Sequence, residues 1–319
     1  MSYLVSLCIP TNGITELIFP VLDSIYAQGV DESLFEVVVC DNGDDEEFRR
    51  LIIEYADRHS NLRYARTDAP VFLSEPESYK MANGKLIKFI NHRTKLLPGT
   101  LAYLIDFVRD HDGEPSPPIV YFSNGVLKQT QQIAHYSRFT DFVCGLKMCG
   151  TWSTGMTIWK VDFDRIPDDE AYNELFPHTT ILFRERDREY IIDDKVLLDE
   201  IPVGHGNKGK YDVFYAFAVE WLLILGELLR SGDITSQTFC KLKRETLKFC
   251  LELAIQFKIL RRPCSYNTST FAKSMQIFYS WSEIGWEFTQ YVPKRLIDLA
   301  SGKIKRLLWM VSGRKERGK

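Results

Sequence analysis

The sequence predicts an α/β fold: a parallel-rich sheet covered by helices on both faces, followed by a purely helical region. Three observations carry that reading. Short, β-branched apolar runs alternate with segments of helical periodicity over the first two hundred residues. The strand runs are almost continuously apolar, as strands buried on both faces must be. From about residue 211 onward only long helical patterns remain.

The elements follow in order. "YLVSLCIP" and "FEVVVCDNG" are strands closed by turn residues, and between them "ITELIFPVLDSIYAQGV" puts Leu17, Val21, Ile25 and Tyr26 on one helical face, with Gly29 near its end. That is a βαβ unit. A helix over 46–59, a strand "LRYAR", a loop over 68–77, a short helix "ESYKMAN" and a strand "KLIKFIN" come next. A helix "GTLAYLIDFVRDH" and a strand "PPIVYFSNG" complete the pattern. Ligands of such sheets sit at the carboxyl ends of the strands. Helical patterns over 213–230, 234–260 and 267–290 precede a basic segment from 293, so the division expected is 1–210 and 211–319.

Composition sets limits. With 45% hydrophobic and 26% charged residues, the chain of 319 residues is an ordinary globular one. A net charge of −3 gives no nucleic-acid signature. Residues 290–319 carry nine Lys/Arg against Asp298 and Glu316, which leaves a mildly acidic body and a basic end. Seven cysteines without a CxxC pair read as reduced thiols of a cytoplasmic protein. "MSYLVSLCIPTNG" has no basic n-region and reads as a first strand, and "VFYAFAVEWLLILGELL" is interrupted by Glu220 and Glu227, so it reads as a core helix.

"SLCIPTNG", then "EVVVCDNGDDEE", then "LIKFIN…LLPGTL" resembles, in order and spacing, the nucleotide-sugar domain of glycosyltransferase family 2, over roughly residues 3–200. The resemblance implies a GT-A fold and an inverting transfer from a nucleotide sugar to a saccharide or lipid-linked saccharide, in envelope polysaccharide or glycan assembly. It implies that Pro10, Thr11 and Asp41 hold the nucleoside, although Asp41-Asn42-Gly43 is also a favoured turn. A plain dinucleotide-binding unit or a nucleotidyltransferase would instead show a Gly-rich loop after the first strand, where Pro10-Thr11-Asn12 stands.

Two departures from the family pattern matter. Where the family's DxD carboxylates hold a divalent metal, this chain has Asn91-His92-Arg93. Hard cations want oxygen ligands, which His92 and Arg93 lack. The departing diphosphate still needs its growing charge stabilised, so Arg93 is expected to meet it directly and no metal cofactor is favoured, a divalent metal being the other course, with Lys80 as a helper and Asn91 and His92 beside it at the donor. Lys85 and Lys88 are expected as solvated charges on a strand flank. The alternative is a catalytically silent domain that binds an assembly partner.

The second departure is at the general base: "NELFPHTTILFRER" puts His178, Ile181 and Arg184 at the spacing where the family has Asp, Leu and Arg. His178 suits proton removal from the acceptor hydroxyl, or is only a helix-start residue bonded to backbone. Asp169 and Glu174 compete with it, although Asp168–Glu170 also fits a solvated loop. Trp152 is the candidate acceptor-stacking ring and Trp159 a core residue. In 293–319, Leu, Ile, Val and Trp309 lie among Lys and Arg. That suits a helix on the anionic inner face of the cell membrane, or a final core helix with a basic end.

Overall fold

A computed structural model describes residues 3–202, 209–291, 293–295 and 297. By internal contacts the chain divides into two compact units, Met1–Pro202 with Arg230–Thr238, and Val203–Leu229 with Phe239–Lys319.

The first unit is built on strands β1 (Val5–Thr11), β2 (Phe35–Asp41), β3 (Leu62–Arg66), β4 (Leu86–Phe89) and β5 (Thr94–Leu96). Strands β6 (Ile119–Phe122), β7 (Ile133–Tyr136), β8 (Thr157–Trp159), β9 (Tyr190–Asp193) and β10 (Leu198–Glu200) complete its sheets. Its helices are α1 (Thr15–Tyr26), α2 (Glu46–Ala56), α3 (Ser74–Lys80), α4 (Thr100–Asp110), α5 (Phe139–Leu146), α6 (Lys160–Phe163) and α7 (Pro177–Leu182). The central sheet has the order β3-β2-β1-β4-β8, parallel except for β8. Two smaller sheets, β10-β5 and β6-β9-β7, accompany it.

Parallel pairing buries β1, β2 and β4 on both faces, so their side chains are nearly all inside. That includes Glu36, which would be costly unpaired. Its carboxylate accepts from Ser6 Oγ at 2.6 Å, Gly84 N at 3.1 Å and Arg63 Nη2 at 3.1 Å, clamping β1, β3 and the entry to β4. Helix α3 starts at Ser74, three residues earlier than the sequence suggests. Pro76 falls in its first turn, where a missing N–H costs nothing.

The second unit holds α8 (Val213–Tyr215), which runs through a π-turn, Ala216–Glu220, into α9 (Trp221–Arg230). It also holds α10 (Ser236–Ala254), most of whose length belongs here, and α11 (Phe271–Phe278). Phe214 packs edge-on against Phe271 at 4.9 Å, and Phe217 against Phe249 at 4.9 Å. The single helix expected over 267–290 is broken where Tyr279 turns extended, and helical turns resume over 281–291. Among the described residues no helix is long and apolar enough to cross a membrane.

Candidate functional site

Strand register assembles the site. Thr11 pairs with Asp41 and Asp41 with Arg66, so one residue from each of β1, β2 and β3 stands abreast at the carboxyl edge of the sheet. The chain leaving β4 enters the same edge from the other side. The Nδ1 of His92 lies 3.2 Å from Thr11 Oγ1, which also accepts from Gly13 N at 3.2 Å. Asn42 N donates to Thr11 O at 3.0 Å, locking the β1 and β2 loops together. That locking is tight: a Cβ on Gly43 would lie 2.4 Å from the carbonyl oxygen of Asn12.

Each expected donor residue has a definite place. Pro10 is partly exposed on the edge, and Thr11 is buried beneath it. Asp41 is fully buried: Oδ1 accepts from Gly43 N at 2.8 Å and Oδ2 from the Tyr64 hydroxyl at 3.0 Å, while the adjacent Asn42 side chain bonds the carbonyls of Ala69 and Val71. In this geometry Asp41 shapes the loop and ties it to Tyr64 of β3. Arg66, which the sequence reading passed over, donates to Gly43 O at 3.3 Å and lies 3.5 Å from Asp44. It brings an exposed guanidinium to the row; its position as the last residue of a strand beside Asp41 was the available signal.

At 91–93, Asn91 Oδ1 accepts from Arg93 N at 3.2 Å in a local turn, and Arg93 O accepts from Ile201 N at 2.8 Å. Burial, and then the neighbouring Arg93 guanidinium, push the His92 pKa down to about 4, so its imidazole is neutral near pH 7. Asn91 spends its carbonyl oxygen on the turn, His92 is turned to Thr11, and Arg93 is a cation. The triplet does not fit a hard divalent cation. Among the described residues no three His, Cys, Asp or Glu side chains gather as a metal site. Lys80 is exposed and pairs with Glu77 at 2.7 Å.

A buried polar cluster lies between α3 and α7. His178, in the first turn of α7, is buried, and its Nδ1 lies 3.5 Å from Glu75 Oε2. Among the described residues neither ring nitrogen has a hydrogen-bond partner. Glu75 Oε1 accepts from the Tyr79 hydroxyl at 2.7 Å, and burial followed by the Glu75 charge raises the Tyr79 pKa well above its ordinary value. Lys88 corrects the expectation of a solvated flank. It is buried in β4, and its ammonium donates to the carbonyls of Thr154, Phe89 and Met156, tying the central sheet to the segment after Trp152. Burial pushes its pKa down to about 7, against the pull of Glu75. Lys85, by contrast, pairs with Asp112 at the surface.

The competing acids, Asp169 and Glu174, are both exposed; Asp168 is exposed too, and Glu170 is held by Arg184 at 2.7 Å. Trp152 is partly exposed and its carbonyl accepts from Tyr121, whereas Trp159 is core, its indole N–H donating to Pro118 O at 2.8 Å. None of the seven cysteines is joined in a disulfide. Of 293–319, only 293–295 and 297 are described. Arg295 pairs with Glu252 at 2.8 and 3.0 Å, and the remainder of the expected interface helix lies outside the described residues.

No protein-family model and no curated protein matches the chain. Among solved structures it is similar to S. aureus TarS 1–349 in complex with UDP-GlcNAc, with a TM-score of 0.55 and 17% identity over 80% of this chain and 76% of that one. It is similar also to the mannosyltransferase PcManGT from Pyrobaculum calidifontis in complex with GDP-Man and Mn2+, with a TM-score of 0.50 and 17% identity over 91% of this chain and 80% of that one. Against the longer TarS structure the TM-score is 0.52 at 16% identity, and the chain spans 44% of its length. At such identities the likeness establishes the fold, a GT-A-like α/β architecture with a mostly parallel sheet.

Proposed function

We propose that this chain is an inverting glycosyltransferase that moves a sugar from a nucleotide-sugar donor to a saccharide or lipid-linked saccharide, at the cytoplasmic face of the cell membrane, in envelope glycan assembly. The observation that carries the reading is the row Thr11–Asp41–Arg66 with His92 against Thr11 at one sheet edge, and Arg93 next to it in the chain. In fold and strand order this is the edge at which open α/β sheets receive ligands. The structures it resembles contain UDP-GlcNAc, UDP or GDP-Man.

In the proposed reaction the acceptor hydroxyl oxygen attacks the anomeric carbon from the face opposite the diphosphate. The bond from that carbon to the phosphate oxygen breaks, and the nucleoside diphosphate leaves with the electron pair. Arg93, for which the described residues offer no carboxylate within salt-bridge distance, presents a planar fork to the departing oxygens in place of a metal. His178 is the proposed recipient of the hydroxyl proton, with Glu75 Oε2 3.5 Å from its Nδ1; Glu174 and Asp169 are the exposed alternatives. Trp152 offers the acceptor an aromatic face.

A second reading, a silent domain that binds a partner, draws on the closed carboxylate of Asp41. Thermal shift against UDP-GlcNAc, GDP-Man and the free nucleotides, with and without EDTA, separates the two. A ligand at a hundred times its Kd stabilises the folded state by about 2.7 kcal/mol. Stabilisation by one nucleotide sugar, followed by release of its nucleotide in the presence of acceptor, is expected. Stabilisation by none of them overturns the donor reading.

A further inference from the structure

In the second unit, α10 ends in an exposed tip that the reaction above leaves unused. The helix continues through a π-turn, Ile255–Ile259, and closes with Leu260 N donating to Ile255 O at 2.8 Å. Arg261 then turns left-handed, with φ at 50°, and Pro263 bars a return to helix. Lys258 to Pro263 are all exposed, the longest unbroken exposed run among the described residues. Successive helical positions turn by about 100°, so six in a row stay open only where the chain end stands clear of its unit. The next longest run, 112–116, holds two acids and no large apolar residue. At the tip Ile259 and Leu260 stand side by side, 48% and 40% exposed.

The charge here has one sign. From Leu253 to Ser282 the chain has no Asp or Glu, against Lys258, Arg261, Arg262 and Lys273. Asp212, whose Oδ2 lies 3.5 Å from the Asn267 amide, uses its other oxygen to cap α8. Lys258 donates to Thr268 O at 3.0 Å. Among the described residues no carboxylate lies within salt-bridge distance of Arg261 or Arg262. Cations favour a helix carboxyl end, which accounts for the charges alone. It gives no reason for two aliphatic side chains to stand in water beside them.

Shape and size select the partner. A small ligand needs a concave site, and a protein interface needs about 20–30 residues a side. Six residues at a clear chain end offer neither. A nucleic acid would use the cations and leave the aliphatic pair wet. A bilayer yields to a convex tip, takes aliphatic groups below its headgroups and sets phosphates at the level of the guanidinium groups.

We propose that Ile259 and Leu260 enter the headgroup–acyl boundary of an anionic lipid bilayer, with Arg261 and Arg262 on its phosphates. This gives the membrane element of the function proposed above a definite place. Its test uses no turnover, so failure of the tip and failure of the transferase reading show separately.

The full chain is sedimented with vesicles of phosphatidylcholine, alone or mixed with phosphatidylglycerol, at 0.1 M and 1 M salt. Binding to the anionic vesicles is expected, weakened by salt as the Debye length shrinks from about 10 Å to about 3 Å. Those vesicles should also slow amide hydrogen exchange over 256–265 severalfold. Each cation near an anionic surface is worth roughly fivefold in partitioning. R261N/R262N, with Asn tolerant of the left-handed turn, should therefore bind about 25-fold more weakly and with a shallower salt dependence. I259S/L260S should bind at least tenfold more weakly at 0.1 M salt and keep the salt dependence. Both variants should melt like the wild type. Absence of wild-type binding, unslowed exchange over 256–265, or undiminished binding by R261N/R262N overturns the proposal. Undiminished binding by I259S/L260S overturns it in favour of a polyanion held by the arginines alone.

Discussion

Gly43→Ala tests whether the locked loops at the sheet edge form the donor cradle. The new Cβ would lie 2.4 Å from Asn12 O, 2.7 Å from Asn12 C and 3.0 Å from Asp41 Oδ1. Ordinary contact begins at 3.4 Å, so the two loops must part by about 1 Å. That movement strains the 3.0 Å bond from Asn42 N to Thr11 O and the 2.8 Å bond from Gly43 N to Asp41, each worth about 1 kcal/mol net. Overpacking of this kind costs about 1–3 kcal/mol, which lowers the melting temperature by roughly a few to ten degrees. A misplacement of about 1 Å costs on the order of 10²-fold in rate.

The assay is isothermal titration with whichever nucleotide stabilises the wild type, alongside turnover and a thermal melt. Gly226→Ala is the control. It lies in α9 with nothing within 4 Å of its Cβ, and should be neutral or stabilising by about 0.5–1 kcal/mol. If Gly43→Ala melts several degrees lower yet binds and turns over nucleotide sugar like wild type, the β1–β2 loop contact shapes the fold and not the donor site.

Three further predictions follow from the same geometry. His178→Ala should lower transfer about 10²–10⁴-fold with donor binding retained, and Glu75→Gln should lower the rate as well; a dead Glu174→Gln or Asp169→Asn variant beside an active His178→Ala moves the base into the exposed loop. Arg93→Ala should cut turnover strongly while the wild type keeps its activity in EDTA; full loss in EDTA with rescue by manganese refutes the guanidinium reading. His92 has a folded pKa of about 4 below its unfolded 6.5, so the unfolded chain binds the extra proton between those values and stability falls as pH drops from 6.5 to 4, by about 3 kcal/mol; His92→Gln should flatten that part of a pH-dependent melting series, and an unchanged slope removes His92 from the buried edge.

The parts of this molecule that sequence showed best are those in which one physical signal dominates. The apolar runs of β1, β2 and β4 stand out because both faces of a parallel sheet are covered, and α1, α2 and α4 because their apolar periodicity is strong. What escaped were the polar groups inside those same runs. Lys88 reads as a flank charge if β4 has a wet face; it is in fact buried, with the carbonyls of Thr154 and Met156 from the segment before β8 over its ammonium. Glu36 went unremarked for the same reason, since nothing local announces Ser6, Gly84 and Arg63 as its partners. Glu75 was hidden by Pro76, which suggested a loop where the first turn of α3 stands. The stretch from Lys88 to Arg93 nonetheless has a coherent electrostatic sense once these places are known. The Lys88 ammonium is consumed by three backbone carbonyls. The His92 imidazole is kept neutral by burial and by the cation beside it. Arg93 is then the permanent charge that this segment leaves for a ligand. Under the proposed function a departing diphosphate meets that guanidinium, next to a neutral His92 that lies against Thr11.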